Sequence, residues 1–218
     1  MNDKKDLMEN LIKAKEIFDD YLLNKNFIYI FNNKLTNKID FFEMKCISNN
    51  FLHLTGVETK ITPSNFYKAL DKKRLSLNSI NYKSNGTTKL KLEIFNRLPL
   101  LLTSPVQVCF QDDFFTLKLQ VDILINRPIN DIKDIVLGLK RMENFDFFVP
   151  ASILKEKPQN IGKIFSRVLC IIEKNRLEKK YNKIRYKAKN LEDIELLNLL
   201  NKIDINLFDI ELLKSNFK

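Results

Sequence analysis

Phe115-Thr-Leu-Lys-Leu-Gln-Val-Asp-Ile-Leu-Ile-Asn126 is the stretch that decides the fold of this 218-residue chain. Phe115, Leu117, Leu119, Val121, Ile123 and Ile125 alternate with Thr116, Lys118, Gln120, Asp122 and Asn126. A period of two puts one face of a strand in a core and the other in water. The run Val106–Gln111 before it predicts a hairpin partner across Asp112-Asp113. Ile135–Met142, Phe145–Val149 and Arg167–Lys174 read as further strands, and Val168-Leu-Cys-Ile-Ile172, apolar on both faces, belongs in the middle of a sheet. Upstream, Phe27–Phe31 and Ile39–Ile47 read as two strands joined by a polar turn over 32–38. Short polar connections between successive strands favour antiparallel pairing.

Helical spacing marks other segments. Leu7, Leu11, Ala14, Ile17 or Phe18, and Tyr21 make residues 6–24 an amphipathic helix. Thr62-Pro63 starts a second helix, with Thr62 as N-cap and Pro63 at the first helical position. Thr87 to about Leu98 forms another, ending at Pro99. With helices preceding strands, the fold class is α+β. After Asn175 the composition shifts to a basic run over 174–190 and an acidic one over 191–213, while Leu177, Tyr181, Ile184, Ala188, Leu191 and Ile194 keep a helical stripe. This predicts one long helix, and with it a division into an α+β domain over residues 1–175 and a helical tail over residues 176–218.

The net charge of +10 fits a polyanionic partner. Only seven of the 37 cations are arginine, however, and a lysine, asparagine and isoleucine bias also follows from an AT-rich genome. Cys46, Cys109 and Cys170 lie apart in apolar segments, so they read as buried free thiols suited to a reducing cytoplasm. Met1-Asn-Asp-Lys-Lys-Asp6 leads into an amphipathic rather than a uniformly apolar segment, which does not read as a signal peptide. The longest apolar stretch, Leu98–Phe110, is too short to span a bilayer and contains Pro99 and Pro105. A cytoplasmic protein without membrane contact is the expectation.

Four glycines and the lack of GxxxxGK[ST] or GxGxxG argue against nucleotide-phosphate loops. Without CxxC, HxxxH or HExxH a zinc site is not expected, and no GxSxG elbow supports serine hydrolysis. Asp112-Asp113 reads as turn chemistry before it reads as a Mg²⁺ site. No metal and no cofactor are therefore expected. What remains is Phe51-Leu-His53-Leu-Thr55-Gly56, read as an extended stretch or third strand and carrying the only histidine. His53 is the natural proton-transfer group near neutral pH. Flanked by Phe51, Leu52 and Leu54, it equally fits a core position bonded to backbone.

One reaction suits so small an inventory. RNA is cut when its 2′-hydroxyl attacks the adjacent phosphate, so the protein supplies only a base, an acid and cations. Residues 60–97 hold the cations Lys60, Lys68, Lys72, Lys73, Arg74, Lys91 and Arg97 as nucleic-acid contacts, with Phe66 and Tyr67 able to stack bases. Lys89 and Lys91 also fit a solvated helix face, Tyr67 a core position, Ser152 a local N-cap and Thr55-Gly56 a simple turn.

Asn50-Phe-Leu-His53-Leu-Thr55-Gly56, then Asn65-Phe66-Tyr67, Lys89 in a lysine/leucine helix, and Phe148-Val-Pro150-Ala-Ser152 together resemble a phage-associated family. That family is assigned to the Barnase–EndoU–colicin–RelE-like nuclease superfamily, as its fourth group. The resemblance covers about residues 26–175. It implies helices packed on a small antiparallel sheet and a metal-independent ribonuclease or toxin domain of phage or prophage origin. In that reading His53 and Thr55 match the family motif, with Tyr67, Lys89 and Ser152 as companions.

Two functions follow as expectations. The first is a ribonuclease cutting RNA by 2′-hydroxyl attack, with His53 as acid or base, Lys89 and Arg97 on the phosphate, and Thr55, Tyr67 and Ser152 positioning it. The second is a non-catalytic phage-encoded inhibitor of a host defence complex, docking through the C-terminal helix, which would equally suit an antitoxin partner. A plain RNA- or DNA-binding module is a third possibility.

Overall fold

The computed structural model describes residues 2–115, 120–128 and 135–215. Helix α1 (Asn2–Tyr21) buries Leu7, Leu11, Ala14 and Phe18, the stripe its spacing predicts. Strands β1 (Lys25–Asn33) and β2 (Lys38–Lys45) form an antiparallel hairpin in register from Asn26↔Lys45 to Asn33↔Lys38. Then come α2 (Asn50–Thr55), α3 (Pro63–Asp71), α4 (Thr87–Ile94), continued by a 3-10 turn at Phe95–Arg97, and the single turn α5 (Leu100–Thr103). Strands β3 (Gln107–Phe110), β4 (Ile123–Asn126), β5 (Val136–Arg141), β6 (Phe147–Leu154), β7 (Ser166–Asn175) and β8 (Lys183–Lys187) follow, and α6 (Asp193–Ile203) and α7 (Ile210–Ser215) end the described chain.

The strand order is β1-β2-β6-β5-β4-β3-β7, and β7 pairs back onto β1. This closes a seven-stranded barrel, with β8 added alongside β7 as an eighth strand. The expected α+β class holds, but the sheet is not small and not wholly antiparallel: β2 and β6 run parallel. Strand β7 is central, as its double-sided apolar run predicts, pairing with β1, β3 and β8.

Alternation in β1 shows how the layers divide. Phe27, Tyr29 and Phe31 join the inner face of the barrel and helices α1 to α5 in one large core. Ile28 and Ile30 face the other way, into a second core with Leu196, Leu199 and Leu200 of α6, Phe208, and Leu213 of α7. Aromatic rings knit the inner face. Tyr29 stacks on Phe42 at 5.1 Å, and Phe31 meets Phe110 at 5.4 Å.

Three sequence expectations need correction. Of the expected period-two strand, the described residues place Ile123–Asn126 in β4, and all four are buried, because Ile161, Phe114 and Phe165 cover the face expected to meet water. Leu117 and Leu119 lie outside the described residues. The His53 segment is a helix: Phe51, Leu54 and Thr55 are buried at helical spacing, and Gly56 ends it in the left-handed region at φ 64°. Nor is there one long tail helix. Ile184 and Tyr186 pair with β7 as strand β8, and α6 begins only at Asp193, behind a capping box made by Glu192 and Glu195. Tyr181, Ala188 and Leu191 fill the second core from outside any helix, Tyr181 at a β-bridge and the other two in the connection to α6, which a helical stripe mimics.

Cys46, Cys109 and Cys170 are buried free thiols, as expected. Burial pushes Cys109 and Cys170 each up to about 12, which keeps them unreactive.

Closure of the barrel rests on little pairing. Strands β2 and β6 meet only through Glu43↔Phe147 and Met44↔Phe148. Beyond that point β6 runs free of β2, and Pro150 stands near a register shift between β5 and β6, where its missing N–H is tolerated. Helix α2 fills the gap. Buried Asn50 donates from Nδ2 to Pro150 O at 3.1 Å and accepts from Ile47 N at 2.9 Å. Phe51 behind it contacts the rings of Phe18, Phe66, Tyr67 and Phe95. Asn50→Ala orphans both partners and should cost about 1–3 kcal/mol. In urea unfolding this is a lower midpoint at unchanged slope, and an unchanged midpoint would show that the wedge does not hold the wall closed.

Candidate functional site

Beside this wedge lies a cleft of about 370 Å³ lined by Leu52, His53, Gly56, Val57, Lys83, Lys91, Gln120, Val121, Ala151 and Ser152. Its floor and walls come from α2, the loop before α4, α4 itself, the approach to β4, and β6. A larger apolar groove of about 720 Å³ runs between α1 and α3, but the histidine is not part of it.

Helix α2 turns Phe51 and Leu54 inward, which leaves Leu52 and His53 facing the cleft. Helix α4 buries Thr88 and Lys91, one turn apart on the same face. Thr88 Oγ1 donates to Gly56 O at 2.7 Å and accepts from Lys83 N at 3.1 Å. One hydroxyl thereby ties the end of the His53 helix to the backbone of Lys83. Lys91 is 8% exposed and donates from Nζ to His53 O at 2.8 Å. Its stem passes directly over Gly56, where an added Cβ would come within 2.8 Å of Lys91 Cδ. Glycine is thus required at residue 56 twice, by its positive φ and by the lysine above it. On the opposite wall Gly138 leaves room for Val121, whose Cγ1 would lie 3.0 Å from an added Cβ.

The electrostatics favour an anion. Burial lowers Lys91 from 10.5 to about 8, with Lys83 adding to the effect. Partial desolvation lowers the His53 imidazole below its ordinary 6.5, assisted by Lys91 and then Lys83. His53 is thus neutral at pH 7 and able to accept a proton, while Lys91 is mostly protonated and able to give one. Among the described residues no carboxylate pairs with Lys91 or Lys83. The two ammonium groups around one cleft repel each other, which favours an anion between them. No group of three or more His, Cys, Asp or Glu among the described residues is placed to hold a metal ion.

The structure brings His53, Lys91 and Ser152 of the expected residues together, and separates the rest. Thr55 is fully buried and its hydroxyl donates to Leu52 O at 3.1 Å, within its own helix. Tyr67 is buried and its hydroxyl bonds to Asp19 of α1, with Lys15 over the ring at 5.0 Å. Lys89 points to the opposite side of α4, 5.1 Å over the ring of Tyr82 and beside Asp3, Asp6 and Glu9. Lys60, Lys68, Lys72, Lys73 and Arg74 are exposed, and none of them, nor Arg97, lines the cleft. Lys83, Gln120 and Val121 were missed. Gly86, at φ 75°, marks a turn before α4, and the spacing of Lys91 from Thr88 rather than from Lys89 was the sequence signal that separates the two lysines.

The histidine and two lysines that meet no carboxylate among the described residues thus share one cleft in the wall of an α+β barrel. The chain belongs to the phage-Barnase-EndoU-ColicinE5/D-RelE like nuclease4 family, whose model matches residues 10–190. That span contains every residue lining the cleft and runs from within α1 through β8, beyond the limits of the sequence resemblance at both ends. No curated protein and no solved structure gives a significant match. Among the described residues no helix is long and apolar enough to cross a membrane.

Burial of Lys91 has a signed consequence for stability. Its unfolded value near 10.5 exceeds its folded value of about 8, so the unfolded chain binds the proton more tightly. The native state is therefore penalised fully below pH 8, and the penalty fades as pH rises from 8 to 10.5. The shift corresponds to about 3 kcal/mol, against about 1.5–3 kcal/mol for the lost charge-assisted bond to His53 O. Lys91→Met should accordingly be no less stable than wild type at pH 7, and its stability relative to wild type should fall as pH rises from 8 to 10.5. A variant less stable at pH 7 in paired urea titrations would mean the ammonium is not desolvated.

Proposed function

We propose that this protein is a metal-independent endoribonuclease that cuts RNA by attack of a 2′-hydroxyl on the adjacent phosphate. The observation that carries the reading is the convergence of His53, Lys83 and Lys91 on one cleft where no carboxylate among the described residues pairs with either lysine. Such a cleft suits a phosphodiester, and the family is one of nuclease-like proteins.

The chemistry assigns a role to each group. A neutral His53 nitrogen takes the proton of the 2′-hydroxyl as the oxygen attacks phosphorus. The non-bridging oxygens gain charge, which Lys83 and Lys91 offset in a partly desolvated site. The P–O5′ bond breaks, the 5′-oxygen takes a proton from Lys91 Nζ, and a 2′,3′-cyclic phosphate remains. Ser152 and Gln120 stand at the cleft as hydrogen-bonding groups for the phosphate or ribose. Thr55, Tyr67 and Lys89, bonded elsewhere, support the helices that carry these groups.

End-labelled RNA incubated in EDTA should be cut to cyclic-phosphate ends, and 2′-deoxy substrate should survive. His53→Ala and Lys91→Met should each lose about 10²–10⁴-fold in rate with the fold intact. A substrate with sulfur at the bridging 5′ position needs no leaving-group proton, so it should restore cutting by Lys91→Met but not by His53→Ala. The rate should fall below the His53 value and again above about pH 8. Undiminished cutting by His53→Ala would remove the mechanism. Absence of cutting across a broad RNA set would leave the inhibitor reading in its place.

A further inference from the structure

The basic run 174–190 takes no part in the cleft, yet the fold gives it a definite shape. Strands β7 and β8 join in a hairpin whose tip, residues 176–182, is tied down by hydrogen bonds at both ends. Arg176 N donates to Asn24 O at 2.7 Å, and Lys174 Nζ donates across the tip to Lys179 O at 3.1 Å. Glu178 folds back to accept from Asn175 N at 2.8 Å, which draws its carboxyl below the usual range. Buried Tyr181 anchors the far side, its hydroxyl donating to Glu43 Oε1 at 2.5 Å and its backbone pairing with Leu207 and Asp209. With the only carboxylate of the tip turned to backbone, Arg176, Lys179, Lys180 and Lys183 stand exposed, and no carboxylate among the described residues pairs with them. At their centre Leu177 is 97% exposed.

Strand register places this tip at the same end of the barrel as the cleft. Asn175 pairs with Lys25, Cys46 N donates to Lys25 O, and Met44 pairs with Phe148, so that Pro150 stands level with Cys46. Ser152 lies two residues beyond Pro150 on β6, as Leu177 lies two beyond Asn175 on β7. Between β7 and β6 run only β1 and β2, which sets the two features about 15 Å apart along the sheet. Lys25 and Lys45 lie on the path. At 3.4 Å per nucleotide of one strand, this distance is about four to five stacked nucleotides.

We propose that the β7–β8 hairpin is a second contact site for the RNA cut in the His53 cleft, gripping the backbone a few nucleotides from the scissile phosphate. This rests on the cleavage reading for its substrate. Arg176, Lys179, Lys180 and Lys183 neutralise phosphates, and Leu177 packs on an exposed base or ribose face. Pre-ordering by Tyr181 and Asn24 means that little conformational freedom is lost on binding.

The test uses the full chain carrying Arg176→Gln, Lys179→Gln and Lys180→Gln together. All three side chains are solvent-exposed, so the fold should be unaffected. The probe is a fully 2′-O-methylated, uncleavable single strand of about 20 nucleotides. Affinity at ~0.1 M salt should drop about tenfold or more, and the slope of log affinity against log salt should shrink by about 2, at ~0.7 per lost phosphate contact. Cleavage of a dinucleotide, too short to reach the hairpin, should keep its kcat/KM. Unchanged affinity and slope would overturn the proposal. So would strand binding that is insensitive to salt and lost in Leu177→Ser alone, the signature of an apolar contact with bases and no phosphate grip. If wild type binds the strand through the hairpin but cuts no RNA, the cleavage reading fails while the hairpin contact stands.

Discussion

Two residue pairs hold β2 to β6, and the rest of that seam is closed by a helix. A barrel wall left open there would expose unpaired backbone on β6, so the gap must be filled by something that supplies hydrogen bonds and apolar volume together. Helix α2 does both, Asn50 bonding the β6 backbone and Phe51 filling the interior. Because a helix has two faces, the element that seals the wall on one side presents His53 on the other. The cleft is a by-product of how the barrel is closed.

The same economy places the cations. Thr88 and Lys91 share one face of α4, and Gly56 lets that face approach the end of α2 closely enough for Lys91 to bond His53 O. Burying an ammonium without a carboxylate lowers stability. At this cleft desolvation brings Lys91 down to about 8, and desolvation assisted by the lysine charges holds the His53 imidazole below its ordinary 6.5. The His53 segment and Lys91 are therefore one unit, although 38 residues separate them.

Strand β7 organises the remainder. It closes the barrel through β1, touches β3 at its start, and carries β8 and the second core at its end. Helices α6 and α7 cover Ile28 and Ile30, and their connection holds Tyr181, so the acidic segment packs behind the basic hairpin instead of neutralising its tip.

Local periodicity determined much of the molecule. The α1 stripe, the β1–β2 hairpin, the helix at Pro63 and the double-sided burial of β7 are properties of short windows, and they stand as read. Period two predicted a water-facing side for the strand at Ile123–Asn126, whereas the fold covers both of its faces. Asn50-Phe-Leu-His53-Leu-Thr55 fits either an extended segment or six residues of helix, and only the gap beside β6 decides for the helix. The sequence by itself named His53 and, as a nucleic-acid contact, Lys91, and the family resemblance added Ser152. Which lysine faces the histidine, that Thr55 and Tyr67 bond elsewhere, and that Lys83 and Gln120 join the cleft were decided by tertiary structure alone. These are distances between elements far apart in the chain, fixed by barrel closure and by the room a single glycine leaves.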